Sequence, residues 1–138
     1  MTPEWLTGIC EFELPKWNDI AHFLNRANII LLQITFLEWA LKWLCERYSD
    51  SKLKHISSPK GKIYGYLDLL RKMGYSFDLP GNFDSQLKSV KKVRNSFAHG
   101  DWDDVRKEVV NFSYKQFFVL MSELFDTIEA AVTSHKTE

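Results

Sequence analysis

Arg94-Asn95-Ser96-Phe97-Ala98-His99 is the stretch of this 138-residue sequence whose residue types and spacing suit proton transfer beside a phosphate. Arginine presents a rigid planar fork that neutralises and orients a phosphate, and histidine titrates near neutral pH and so exchanges protons. In a helix Asn95 and His99 share a face at i and i+4. Arg94 sits about 100° round from Asn95 on the same turn, so the three side chains can converge. Lys88, Lys91, Lys92 and Arg94 precede His99 with no acid between Leu87 and His99, whereas Asp101, Asp103 and Asp104 follow at once. The charge changes sign at His99, and the three lysines are candidates to bind an RNA backbone. Metal-independent cleavage of RNA needs a base for the ribose 2′-OH, an acid for the leaving 5′-oxygen and a cation for the charge gathering on phosphorus. One histidine does not easily serve both proton transfers, but two copies facing each other across a two-fold axis do.

Arg94-Asn95-Ser96-Phe97-Ala98-His99-Gly100 resembles the motif of the HEPN superfamily of helical ribonucleases, in which Arg, often followed by Asn, precedes a His. The resemblance extends to a long early helix with an acidic residue amid apolar ones, where Glu38 stands within Ile34-Thr35-Phe36-Leu37-Glu38-Trp39-Ala40-Leu41, and to a closing amphipathic helix. It implies a homodimer that cleaves single-stranded RNA with no metal or other cofactor, as a toxin, an antiphage effector or an RNA-processing enzyme. By position, Arg94 would hold the phosphate, His99 would transfer protons, Asn95 would orient one of them and Glu38 would support the site; Ser96 inherits no role. There is one departure. Superfamily toxins silenced by adenylylation carry Tyr two residues after the His, where this chain has Asp101. That counts against a nucleotidyltransferase antitoxin and leaves an antitoxin or sensor protein of another kind as the candidate partner.

The elements that must position these residues read as helices throughout, with no window of convincing strand period. Thr2-Pro3 opens a short helix expected to end before Pro15. From Asn18 to about Tyr48 the chain carries no Pro or Gly, a helix of roughly 45 Å at 1.5 Å per residue. Its middle is apolar nearly all round, which demands cover on several faces and so points to a second subunit. Ser58-Pro59 starts a third helix with Ile63, Leu67, Leu70 and Met73 on one face and Gly74 at its end. After a turn at Leu79-Pro80-Gly81-Asn82, a fourth helix runs from about Phe83 toward His99 on Leu87, Val90 and Phe97. Asp101 to Asn111 reads as an irregular or briefly helical connection. Ser113 and Gln116 form a capping box and Phe112 and Phe117 a staple for the last helix, which buries Phe117, Met121, Leu124, Ile128 and Val132. The expectation is one all-α domain over 1–138, an up-and-down helical bundle of about five helices with one long early helix.

Eighteen basic residues balance eighteen acidic ones, so RNA affinity must come from a local patch. Cys10 and Cys45 lie far apart with no cluster of His, which argues against zinc and disulfides and for two buried thiols. Lack of a basic start followed by an apolar run places the protein in the cytoplasm, away from the membrane. Asn28, Gln33, Glu38 and Lys42 make Ala27 to Leu44 a costly membrane span.

Plainer roles stand beside the catalytic ones. His99 before Gly100 suits the end of a helix. Arg94 suits an ion pair with Asp101 or Asp103, and Glu38 needs a partner, whether Arg94, a backbone cap or a residue across a dimer. The lysines suit a solvated face as well as an RNA track. His22, His55 and His135 read as structural or exposed, and Trp39, Trp43, Phe117, Phe118 and Phe125 as core or dimer packing. A non-catalytic helical dimer that binds a partner protein or nucleotide is the alternative function.

Overall fold

The computed structural model describes residues 3–48 and 61–137, the side chains of Phe12 and of residues 135–137 excepted. Helices α1 (Glu4–Gly8), α2 (Leu14–Tyr48), α3 (Lys62–Lys72), α4 (Phe83–His99), α5 (Trp102–Asn111) and α6 (Tyr114–Thr137) follow in order, with a π-helical turn at Ile9–Glu13. There is no strand among the described residues, and the molecule is an all-α helical bundle built on one long early helix.

That long helix begins earlier than expected. The break anticipated before Pro15 is absent, because the wide turn Ile9–Glu13 joins α1 to α2 and the rod runs from Glu4 to Tyr48. A proline lacks the N–H that would bond the carbonyl four residues back, and its ring crowds that carbonyl. A π turn just upstream, with i→i+5 bonds, is a device that absorbs both faults without ending the helix.

Beyond that turn, α2 buries Phe23, Ala27, Ile30, Ile34, Leu37, Leu41 and Cys45, a stripe that advances by three and four residues. Helices α3, α4, α5 and α6 all pack on α2. They bring Ile63, Leu67 and Leu70 from α3, Phe83, Leu87, Val90 and Val93 from α4, and Val105 and Val109 from α5. The five apolar residues expected from α6 are all buried. The Ser113 hydroxyl accepts the Gln116 backbone N–H at 3.3 Å, and the Phe112 and Phe117 rings sit 5.7 Å apart, so the N-terminal cap and the staple of α6 are formed.

Further differences from expectation have local causes. The start at Ser58-Pro59 lies outside the described residues. The segment after His99 is the regular helix α5, since Asp103 and Asp104 in its first turn complement the helix dipole and Arg106 ion-pairs with Asp19 of α2. Gly100 adopts φ 72° and closes α4, with its own N–H on the Phe97 carbonyl and the Asp101 N–H on that of Ser96 at 2.8 Å. Phe97 then meets Trp102 edge to face across the turn, with ring centres 5.3 Å apart. Of the two cysteines only Cys45 is buried, whereas Cys10 is exposed on the π turn. Burial, with the Glu46 charge second, pushes the Cys45 thiol up to about 12.

Two measurements check this packing. Leu37→Ala, which empties a fully buried site, is expected to cost about 2–5 kcal/mol in urea unfolding. At pH 8 a thiol reagent is expected to titrate Cys10 alone in the folded protein and both cysteines in denaturant, because the folded state holds Cys45 protonated. For the same reason stability declines as pH climbs from about 9 toward 12, where the unfolded chain releases a proton that the folded chain keeps.

Candidate functional site

Arg94 lies on the inner side of α4, one residue from buried Val93, and reaches across to α2. Its Nη1 donates to Glu38 Oε1 at 2.7 Å, with the arginine side chain 39% and the glutamate side chain 26% exposed. Of the partners open to Glu38 in the sequence, the structure selects Arg94, and Arg94 does not pair with Asp101 or Asp103. The remaining polar residues of the apolar stretch of α2 also fit a bundle. Gln33 Nε2 donates to the Tyr114 carbonyl at 2.8 Å at the start of α6, Lys42 approaches Glu46 at 4.0 Å, and Asn28 is exposed.

Once Arg94 is turned inward, the rest of the motif turns out. Lys88, Lys92, Asn95 and His99 recur at steps of four, three and four and are all exposed, so they form one line along the side of α4 away from its core stripe. Asn95 and His99 thus share a face, as expected. The guanidinium of Arg94 bonds Glu38 and neither Asn95 nor His99. His99 is the last residue of α4 and its ring makes no hydrogen bond or ion pair with another described residue, which leaves it open to an incoming ligand. It also occupies the helix-end position of the plainer reading. Lys92 lies 3.7 Å from Glu108 of α5, a loose surface pair that a phosphate can displace.

Lys91 stands between the two sides. Its ammonium sits 5.3 Å from the centre of the Tyr64 ring. Burial and the neighbouring Arg94 cation lower its pKa from the ordinary lysine value, with Glu38 opposing. The Tyr64 hydroxyl donates to Asp84, and burial first, then that carboxylate, raises the tyrosine above its usual range. These residues, with Lys88, Lys92 and Asn95, line a groove of about 430 Å3 between α3 and α4. Tyr64 and Asp84 were not singled out in the sequence. Asp84 was legible, one turn before Lys88 on the same face, but Tyr64 was not, since only the packing of α3 on α4 brings it there.

Other candidates fall away from this face. His22 is exposed on α2, while His55 and the side chain of His135 lie outside the described residues. Phe117 is core and Phe125 half-buried, whereas Trp39, Trp43 and Phe118 face solvent. No cluster of three or more metal-ligating side chains occurs among the described residues. No family model matches the sequence, and no curated protein or solved structure is similar to it.

The Glu38–Arg94 pair is expected to be detectable energetically. A double-mutant cycle over Glu38→Gln and Arg94→Gln, followed by urea unfolding, should give a coupling of about 0.5–1 kcal/mol, reduced in high salt because both groups are partly exposed.

Proposed function

We propose that this protein is a metal-independent endoribonuclease of the HEPN type, acting on single-stranded RNA in the cytoplasm as a toxin or antiphage effector. The observation that carries the reading is the Glu38–Arg94 pair, because together with the buried stripe Phe83, Leu87, Val90 and Val93 it turns Arg94 toward α2 and leaves Lys88, Lys92, Asn95 and His99 as one polar line ending on an unengaged imidazole. Lys88 and Lys92 attract the RNA backbone, Asn95 orients a phosphate or ribose oxygen, and the His99 imidazole moves a proton. Arg94 contributes its charge from behind that face unless RNA draws it away from Glu38. One chain offers one imidazole, and the His99 of a second copy, facing it across the bound strand, supplies the other proton transfer.

A bundle helix accounts for the inner face of the apolar stretch of α2, from Phe23 to Cys45. By length and composition the rod Glu4–Tyr48 is apolar enough to cross a bilayer. Its polar residues Gln33 and Glu38, however, are partnered by α6 and α4, a cost met in a folded bundle and not in lipid. The alternative, a non-catalytic dimer that binds a partner protein or nucleotide, draws on the engagement of Arg94 by Glu38.

Purified wild-type protein incubated with single-stranded RNA in EDTA is expected to cleave it, and His99→Ala, folded by circular dichroism, to lose at least a hundredfold in rate. A wild type as inert as His99→Ala would leave the binding-module reading. Lys88→Ala combined with Lys92→Ala should weaken RNA binding and flatten its salt dependence by a slope of about 2 in log–log form.

A further inference from the structure

The rod formed by α1, the π turn and α2 has the hydropathy of a membrane segment, yet the bundle covers only its inner side. On the outer side Leu14, Trp17, Leu32, Phe36, Trp39 and Trp43 fall within one sector of α2, roughly 120° wide at 100° per residue, and all are exposed, Leu32 to 70%. Upstream of Leu14, Trp5 and Ile9 are exposed as well. The apolar surface widens onto α6, where Phe125 meets Phe36 edge to face at 6.3 Å and Phe118, two turns before Phe125 on the same side, faces solvent.

We propose that this outer side rests on a lipid bilayer, with the rod parallel to the membrane plane and its tryptophans at the depth of the headgroups.

The chemistry of the stripe names that occupant. All five tryptophans of the chain are between 47% and 67% exposed, and four of them lie on this rod. Tryptophan joins an apolar body to a polar N–H, the combination that settles between acyl chains and water. The polar residues within the sector, Asn18, Asn25, Asn28 and Thr35, are uncharged, with His22 at its edge. A headgroup layer is wet and tolerates them. Thr35 asks nothing of a partner, because its hydroxyl donates to the Leu31 carbonyl of its own helix at 2.8 Å. Charged residues border the stripe and do not interrupt it. Arg26 stands on one side, the loose Lys42–Glu46 pair on the other, Arg47 past Trp43, and Glu11 and Glu13 before Leu14. These charges cancel, so apolar burial supplies the attraction and the lipid need not be anionic. The Arg47 guanidinium already sits 5.5 Å from the centre of the Trp43 ring, a stem laid along apolar surface with its charge at the water side.

Length decides the orientation. From Leu14 to Trp43 the stripe runs about 45 Å, against a hydrocarbon core of roughly 30 Å. An upright rod would also draw the inner face and the helices packed on it into lipid. Lying flat, the rod submits only its free side. The contact does not depend on the nuclease reading: α4 packs on α2, and Lys88, Lys92, Asn95 and His99 lie on the side of α4 away from that core, so they stay in water.

Flotation with phosphatidylcholine vesicles tests the contact. The wild type is expected to float with the lipid in about 0.1 M and about 1 M salt alike, since charge does not carry the binding. In Trp102→Phe the remaining tryptophans are all on the rod, and phosphatidylcholine brominated high on its acyl chains is expected to quench them. Leu32→Glu with Trp39→Glu, folded by circular dichroism, should lower the partition into vesicles roughly tenfold or more, and Trp43→Gln, a milder change, should weaken it in the same direction. Val110→Glu, at an exposed apolar residue of α5 outside the stripe, should leave it unchanged. A wild type that stays in the aqueous phase, whether monomer or assembly, would overturn the proposal. So would binding confined to phosphatidylserine vesicles and lost in high salt, binding undiminished by the stripe variants, or bound protein whose rod tryptophans the bromines do not quench.

Discussion

A carboxylate in an apolar helix is the constraint on which the rest of the arrangement depends. Glu38 sits beside Leu37, at the edge of the stripe by which α2 anchors the bundle, and a half-buried carboxylate there requires a cation. Arg94 supplies it at 2.7 Å. Because Arg94 must face α2, the helix geometry leaves no freedom for its neighbours: Asn95 lies about 100° and His99 about 140° further round, both toward solvent. Val90, Val93 and Leu87 reinforce that rotation from the core side. A single ion pair and an apolar stripe therefore decide which side of α4 presents Lys88, Lys92, Asn95 and His99 to solvent.

How far the sequence could be read follows from the range of each cause. The α6 cap, the staple and the buried faces of α3 and α6 depend on neighbours within a few residues, and they were legible. Glu38 was legible as a residue needing a partner, but the choice of Arg94, distant in sequence, is a matter of tertiary packing. The expected convergence of Arg94 with His99 rested on helical position alone and carried no sign that Arg94 would bond Glu38 of α2. The break at Pro15 failed because proline removes a hydrogen bond only where the local ladder demands one, and a π turn relaxes that demand. The helicity of α5 was hidden because its support comes from outside it, through Arg106 on Asp19 and the packing of Val105 and Val109.

The apolar character of α2 has two separate meanings. One face, stepping from Phe23 to Cys45, holds the five main helices together. The other, from Ile29 to Trp43, is left in water by the single chain although it is spaced equally well for a helical partner. The sequence showed only that α2 needed more cover than one chain provides. The structure sets that exposed apolar face apart from the polar line of Lys88, Lys92, Asn95 and His99 on α4.

The chemistry itself is what most needs measurement. An oligodeoxynucleotide containing a single ribonucleotide, incubated with wild-type protein in EDTA, isolates the role of one 2′-hydroxyl. The proposed reading predicts that attack by that hydroxyl, with His99 moving protons, breaks the bond to the 5′-oxygen and leaves a 2′,3′-cyclic phosphate on the ribose and a 5′-hydroxyl on the next nucleotide, with the all-deoxy strand untouched. An intact oligonucleotide, or ends bearing a 3′-hydroxyl and a 5′-phosphate, would contradict it.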